Sequence, residues 1–224
     1  MKSRFKVWII ALFILSITAP AIAAEKENTS LLIFSGGRSV ARNACASPLV
    51  TLEADSGFQC DNQPDFYRTA YNYKFTPAWG VEISVGDIGR THGVGSSSGD
   101  PYSYQFKADG WTVAGVGFLN IGKSFSLFGK LGVVNTRLQE NAHRNFSGTW
   151  FRRVIYPSGG VPVTNEEKHA PTYGVGFQFD FAKHVGLRFQ YEHFGQYDIF
   201  SAYGVSTPEK IILTATSLGL VVGF

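Results

Sequence analysis

The stretch TYGVGFQFDFAKHVGLRFQYE, Thr172 to Glu192, decides the fold. Up to Phe181 every second residue is apolar: Tyr173, Val175, Phe177, Phe179 and Phe181 alternate with Thr172, Gly174, Gly176, Gln178 and Asp180. After Ala182-Lys183-His184 the pattern resumes, with Val185, Leu187, Phe189 and Tyr191 set against Gly186, Arg188, Gln190 and Glu192. A period of two sends successive side chains to opposite faces of a strand. The two runs read as an antiparallel hairpin with one apolar, aromatic face and one face of small and polar residues.

The same pattern recurs along the chain. Trp79, Val81, Ile83 and Val85 share a face, as do Tyr67, Thr69, Tyr71, Tyr73 and Phe75, and Lys130 falls opposite Leu127 and Leu131. Segment 111–119 is a strand by composition, with its facing open. Eight strands are predicted, near 30–38, 66–75, 79–89, 104–119, 123–137, 171–181, 185–197 and 211–224. Short turns at 76–78, 120–122 and 181–184 alternate with longer polar stretches at 39–65, 90–103, 138–170 and 198–209. Short turns at one end and long loops at the other describe an up-and-down antiparallel transmembrane β-barrel. The last strand, TATSLGLVVGF, puts Leu218, Leu220, Val222 and Phe224 on one face and stops on the aromatic. Chain ends usually fray into water, so a strand that ends this way is expected to pair back onto the first.

The N-terminus carries Lys2, Arg4 and Lys6, an apolar run over 7–17 and small residues at Ala21-Ile22-Ala23. This is the layout of a cleaved secretory leader, with residues 1–23 as signal peptide and 24–224 as the barrel domain. The chain has 20 basic and 17 acidic residues, and three of the basic ones sit in the leader. The exported part is formally neutral and has no footprint for nucleic acid. Its apolar runs are too short for a membrane helix, so entry into a membrane requires a closed barrel. Cys45 and Cys60 are the only cysteines. An even pair in an exported chain favours a disulfide, worth about 3 kcal/mol in the chain-entropy model; two free thiols are the alternative. The spacing fits no zinc pattern, and no cofactor is indicated.

Alternation alone allows a soluble barrel with its apolar face inward or a membrane barrel with that face outward. The polar face is rich in Gly, Ser, Thr and Gln, which suits a narrow lumen better than a solvated surface. On the membrane reading Arg68, Lys74, Glu82, Lys130, Asp180, Arg188 and Glu192 point inward, and buried charges need partners. Trp79, Trp111, Tyr191 and Tyr197 near strand ends fit the aromatic girdles of such barrels.

The turn Pro77-Ala78-Trp79-Gly80 with VEISVGDIG (81–89), KADGWTVAGVGFLNIGKSFSLFGKLGV (107–133), VGLRFQYEHF (185–194) and SLGLVVGF (217–224) together resemble the OmpA-like transmembrane domain, the opacity-type outer-membrane barrel family. The resemblance covers about 66–137 and 171–224. It implies eight strands and an interior ion-pair network at Glu82, Lys130, Arg188 and Glu192, joined on the inward face by Arg68. It also implies that barrel assembly machinery recognises the terminal strand through Phe224, with Val222 and Leu220. Many relatives carry a peptidoglycan-binding domain after the barrel, and none is expected here. The Cys45–Cys60 pair is not a general feature of the family.

The reading is a non-enzymatic, monomeric protein of the bacterial outer membrane. It would contact membrane lipids and lipopolysaccharide, serve envelope integrity and possess surface loops for an extracellular or host ligand. Trp150, Arg152 and Arg153 in the third long loop are the candidate contacts, since Arg and aromatics are enriched in interfaces. The alternative is a narrow gated channel or small-solute pore. A lipid A-modifying enzyme is a further alternative, but none of the five histidines has a serine two residues on, as in the deacylases.

Overall fold

The computed structural model describes residues 29–46, 57–97, 99–144, 161–198 and 210–224, with backbone alone at 142–144 and 161–165. The signal-peptide expectation at 1–23 and the loop contacts Trp150, Arg152 and Arg153 lie outside the described residues. The strands are β1 (Ser30–Arg42), β2 (Gln59–Asp61), β3 (Asp65–Thr76), β4 (Trp79–Ser97), β5 (Asp100–Ile121), β6 (Phe125–Arg144), β7 (Val161–Ala182), β8 (Val185–Tyr197) and β9 (Ile211–Gly223). β1 pairs with β3 on one side and β9 on the other, and β4 pairs with β5, so the eight long strands close on themselves. Short β2 pairs with β4 from Gln59↔Val94 to Asp61↔His92. Closure removes the free edges that lipid would not tolerate.

The terminus is held as its pattern requires. Ser35↔Gly219 lies within the β1–β9 ladder, the Phe224 N–H donates to the Ser30 carbonyl at 3.0 Å, and the Gly223 N–H donates to His184 O at 2.8 Å.

Five strands run further than the sequence predicts, β1 to Arg42 and β4 to β7 by more. Stretch 90–103 is not a long loop: β4 and β5 pair from Arg90↔Lys107 to Ser97↔Asp100 and turn near Gly99, whose φ is +83°. Stretch 138–170 is strand over its described residues, 138–144 and 161–170, with β6–β7 pairing Arg137↔Glu167 and Glu140↔Thr164. Residues such as Gly93, Gly95 and Ser96 have weak β-propensity. Their conformation is fixed instead by the partner strand, which turns Tyr102, Tyr104 and Phe106 into the barrel interior.

The extension has opposite polarity to the membrane part. Low on the barrel, Phe34, Tyr67, Tyr71, Val81, Val85, Trp111, Leu127, Leu131, Val133, Val175, Phe177, Leu187, Leu218 and Leu220 are exposed, which is the lipid-facing belt. Leu131 is 65% exposed, an arrangement stable only against hydrocarbon. Above Trp111 the outward positions include Gln105, Lys107 and Arg90, with Val94 exposed among them; β5, β8 and β9 turn aliphatic and aromatic side chains inward, while β4 turns Thr91 and Ser97 inward. There, at the loop end, Phe66, Ile88, Tyr102, Tyr104, Phe106, Leu138, Phe194, Ile211 and Leu213 pack into one buried cluster. This corrects the expectation of a polar lumen throughout: above the belt the outer surface meets water, so the apolar side must turn inward. Residues Asp100–Asp109 rise roughly 20 Å beyond the belt, at about 3.3 Å per residue and a tilt near 45°.

Tyr197 is a second correction. It is expected in the outer aromatic girdle, yet it is 1% exposed and lies inside. The register of β8 on β9 shifts between His193 and Gln196, where Gly195 has φ +101°. A bulge reverses the facing of every residue beyond it. Trp111 and Tyr191 are exposed as expected, and Trp79 is half-buried. The open facing of 111–119 is settled: Thr112, Ala114, Val116 and Phe118 point in, while Trp111 and Leu119 point out.

Candidate functional site in the barrel lumen

At mid-belt, alternation delivers five charges into the lumen from four strands: Arg68 on β3, Glu82 on β4, Lys130 on β6, and Arg188 and Glu192 on β8. Glu82 is the hub and is 1% exposed. Its Oε1 accepts from Lys130 Nζ at 2.9 Å and Arg68 at 3.5 Å, and its Oε2 accepts from Arg188 at 2.7 Å. Glu192 Oε1 accepts from Arg68 at 2.6 Å and Lys130 at 2.5 Å. The five residues form one connected layer, a geometry in which buried charges are tolerated. Three cations face two anions, so the layer carries one surplus positive charge.

Sequence reading missed three supports. Gln178 Oε1 accepts from Arg188 Nε at 3.1 Å and from a terminal nitrogen at 2.9 Å. The guanidinium of Arg188 also lies over Phe128, 4.5 Å from the ring centre, with Phe118 at 5.8 Å. An aromatic face attracts a cation, which suits the surplus charge. Gly174 makes room, since a Cβ there would lie 2.9 Å from Glu192 Cγ and 3.0 Å from Lys130 Cε. The inward glycines signal crowding in the sequence; Phe128 shares the inward parity of Lys130, but Phe118 lies in the segment whose facing the sequence leaves open, and neither ring contact is legible before the strands pair.

Lys74 and Asp180, expected in the same inward set, are not among these contacts. Lys74 Nζ sits over the Phe118 ring at 4.7 Å, and Asp180 accepts from Gln178 Nε2 at 2.9 Å. Both lie near the turn end, where the lumen opens, and are half-buried.

The apolar cluster forms a second layer above the ion pairs. Within it the Tyr104 hydroxyl donates to Glu140 at 2.6 Å, and Tyr197 shares a hydrogen bond with Thr136 at 2.7 Å. The rim is fastened by the Cys45–Cys60 disulfide, with Cα atoms 6.0 Å apart. Phe224 and Leu220 are exposed on the belt and Val222 is partly so. Among the described residues no cluster of His, Cys, Asp or Glu could hold a metal ion.

A closed antiparallel barrel of eight long strands, apolar outside and ion-paired within, defines a transmembrane barrel of the outer-membrane type. The sequence matches the outer membrane protein beta-barrel domain over residues 9–224, and the chain belongs to that family. No curated protein gives a significant match. Among solved structures, OprG from Pseudomonas aeruginosa is 13% identical, with 88% of this chain and 98% of that one covered and a TM-score of 0.53. Ail of Yersinia pestis, solved with the heparin analogue sucrose octasulfate, is 19% identical over 88% and 99% of the chains, with a TM-score of 0.47. Neisserial surface protein A is 7% identical over 89% and 100%, with a TM-score of 0.47. At these identities the likeness is one of fold.

Proposed function

We propose that this protein is a non-conducting, non-enzymatic barrel of the bacterial outer membrane that holds a rigid β-extension and its loops outside the cell. The carrying observation is the double filling of the lumen: an ion-paired layer at mid-belt and an apolar layer at the loop end. Eight-stranded barrels are filled by side chains, and here the two layers stack along the axis. On this reading residues 1–23 direct export and are removed. Assembly machinery takes the chain by Phe224, Val222 and Leu220. The monomer stands among lipopolysaccharide, and Trp150, Arg152 and Arg153 meet an extracellular ligand.

Planar-bilayer recording tests the closed lumen. The wild-type barrel is expected to be silent, and stepwise single-channel currents would establish the gated-channel alternative instead. Replacing 145–160 by a short linker tests the surface role. Binding to polyanionic lipopolysaccharide or to host-cell surfaces should fall to background, and unchanged binding would remove this loop from the proposal.

A further inference from the structure

We infer that the Cys45–Cys60 bond is made in the periplasm by a thiol oxidase, before the rim it fastens crosses the outer membrane. The inference rests on the proposed outer-membrane location. Cys45 lies in the 3-10 turn Ala44–Ala46 after β1, and Cys60 in β2. Both are at the long-loop end, opposite Phe224 and the short turns at 77–78, 122–124 and 183–184. In outer-membrane barrels the short turns are periplasmic and the long loops external. The finished bond therefore stands outside the cell, while the relay that keeps thiols oxidised works in the periplasm.

The folded rim also restricts access to the sulfurs. Ala44, next to Cys45, is fully buried, and its carbonyl oxygen lies 3.2 Å from the Tyr104 hydroxyl. Cys60 pairs with Gly93 of β4. On the other side of that segment, Asn62 O and Pro64 O accept from the N–H groups of Ala41 and Ser39 at 3.1 and 2.9 Å. Phe58 packs on Tyr102, with ring centres 5.8 Å apart, and both cysteines are half-buried. A mixed disulfide needs a second protein's sulfur against one of these atoms, which the open chain allows and the paired rim obstructs.

The sequence makes early oxidation sufficient. The two cysteines are the only ones and are 15 residues apart. One connectivity exists, so no isomerisation is needed, and closing so short a loop does not require the barrel. The thiolate of one cysteine attacks the oxidase disulfide, forming a mixed disulfide and releasing one oxidase thiolate. The second cysteine thiolate then attacks the bonded cysteine sulfur, and the oxidase leaves as its dithiol. Two electrons pass to the oxidase, and the two protons lost by Cys45 and Cys60 balance the two its thiols gain. The first loop then crosses the membrane as a closed covalent ring.

The test uses the full chain pulse-labelled in Gram-negative cells, with acid quenching and a mass-adding maleimide to trap free thiols. Non-reducing gels then report redox state, and heat-modifiable mobility reports barrel assembly. With the assembly machinery depleted, the unassembled pool should already be oxidised. In cells lacking the periplasmic thiol oxidase the same pool should lose the oxidised band. Free thiols in the unassembled pool of oxidase-proficient cells, or assembled barrels that oxidise afterwards, would overturn the inference. A chain recovered without detergent and never heat-modifiable would refute the outer-membrane reading itself, a different outcome on the same gels.

Discussion

The surplus positive charge in the lumen makes the two signs unequal under mutation. Glu82→Gln leaves Arg68, Lys130 and Arg188 facing Glu192 alone, raising the surplus from one to two. Arg188 then loses its carboxylate at 2.7 Å and keeps only Gln178 and the Phe128 face. Stranding a buried charge in this way costs about 3–5 kcal/mol. Lys130→Met instead brings the layer to neutrality. Glu82 keeps Arg188 at 2.7 Å, Glu192 keeps Arg68 at 2.6 Å, and the thioether fills part of the ammonium's space. That change should cost about 1–2 kcal/mol, the scale of hydrogen bonds lost without a stranded charge. The assay is urea unfolding of the barrel in lipid vesicles, followed by tryptophan emission and by heat-modifiable mobility. The expected order is wild type, Lys130→Met, then Glu82→Gln, with the variants at least about 1 kcal/mol apart. Equal losses, or Lys130→Met the worse, would refute the charge accounting and leave packing as the function of the layer.

Three further outcomes follow from the barrel's geometry. Leu131→Arg, on the lipid belt, should cost about 2–4 kcal/mol in the vesicle titration, while Gln105→Arg above it should be near neutral; equal effects would place the membrane boundary elsewhere. Gly195→Val should cost about 1–3 kcal/mol, because φ is +101° and a Cβ there lies 2.4 Å from Ala170 Cβ. Gly36→Ala, whose added Cβ has its nearest neighbour at 3.7 Å, should unfold at nearly the wild-type urea concentration.

The alternation of 172–192 was enough to establish strand and which residues share a face, because the period of two is a local property of the backbone; that the polar face points inward rested on its small residues and sparse charges. The hub Glu82 and its partners were legible for the same reason: each sits on the polar side of an unambiguous strand. Residues 111–119 were not legible, since Val113 and Val116 are apolar on opposite faces and only pairing to Trp79–Val85 and Leu127–Val133 orients them. Lys74 and Asp180 share the inward parity, but Lys74 lies over Phe118 and Asp180 meets Gln178 rather than the five-charge layer directly, a difference of height that parity does not carry.

Sequence by itself determined the class of the molecule: a period-two chain with aromatic outward faces and a hydrophobic last strand can satisfy its backbone in lipid only by closing. Tertiary structure decided where along the axis that logic stops. The reversal of polarity above Trp111, the inward turn of Tyr197 past the Gly195 bulge, and the support of Arg188 by Gln178 and Phe128 all arise from contacts between strands. They depend on register and on the surrounding medium, lipid below and water above, and neither is a property of any single strand.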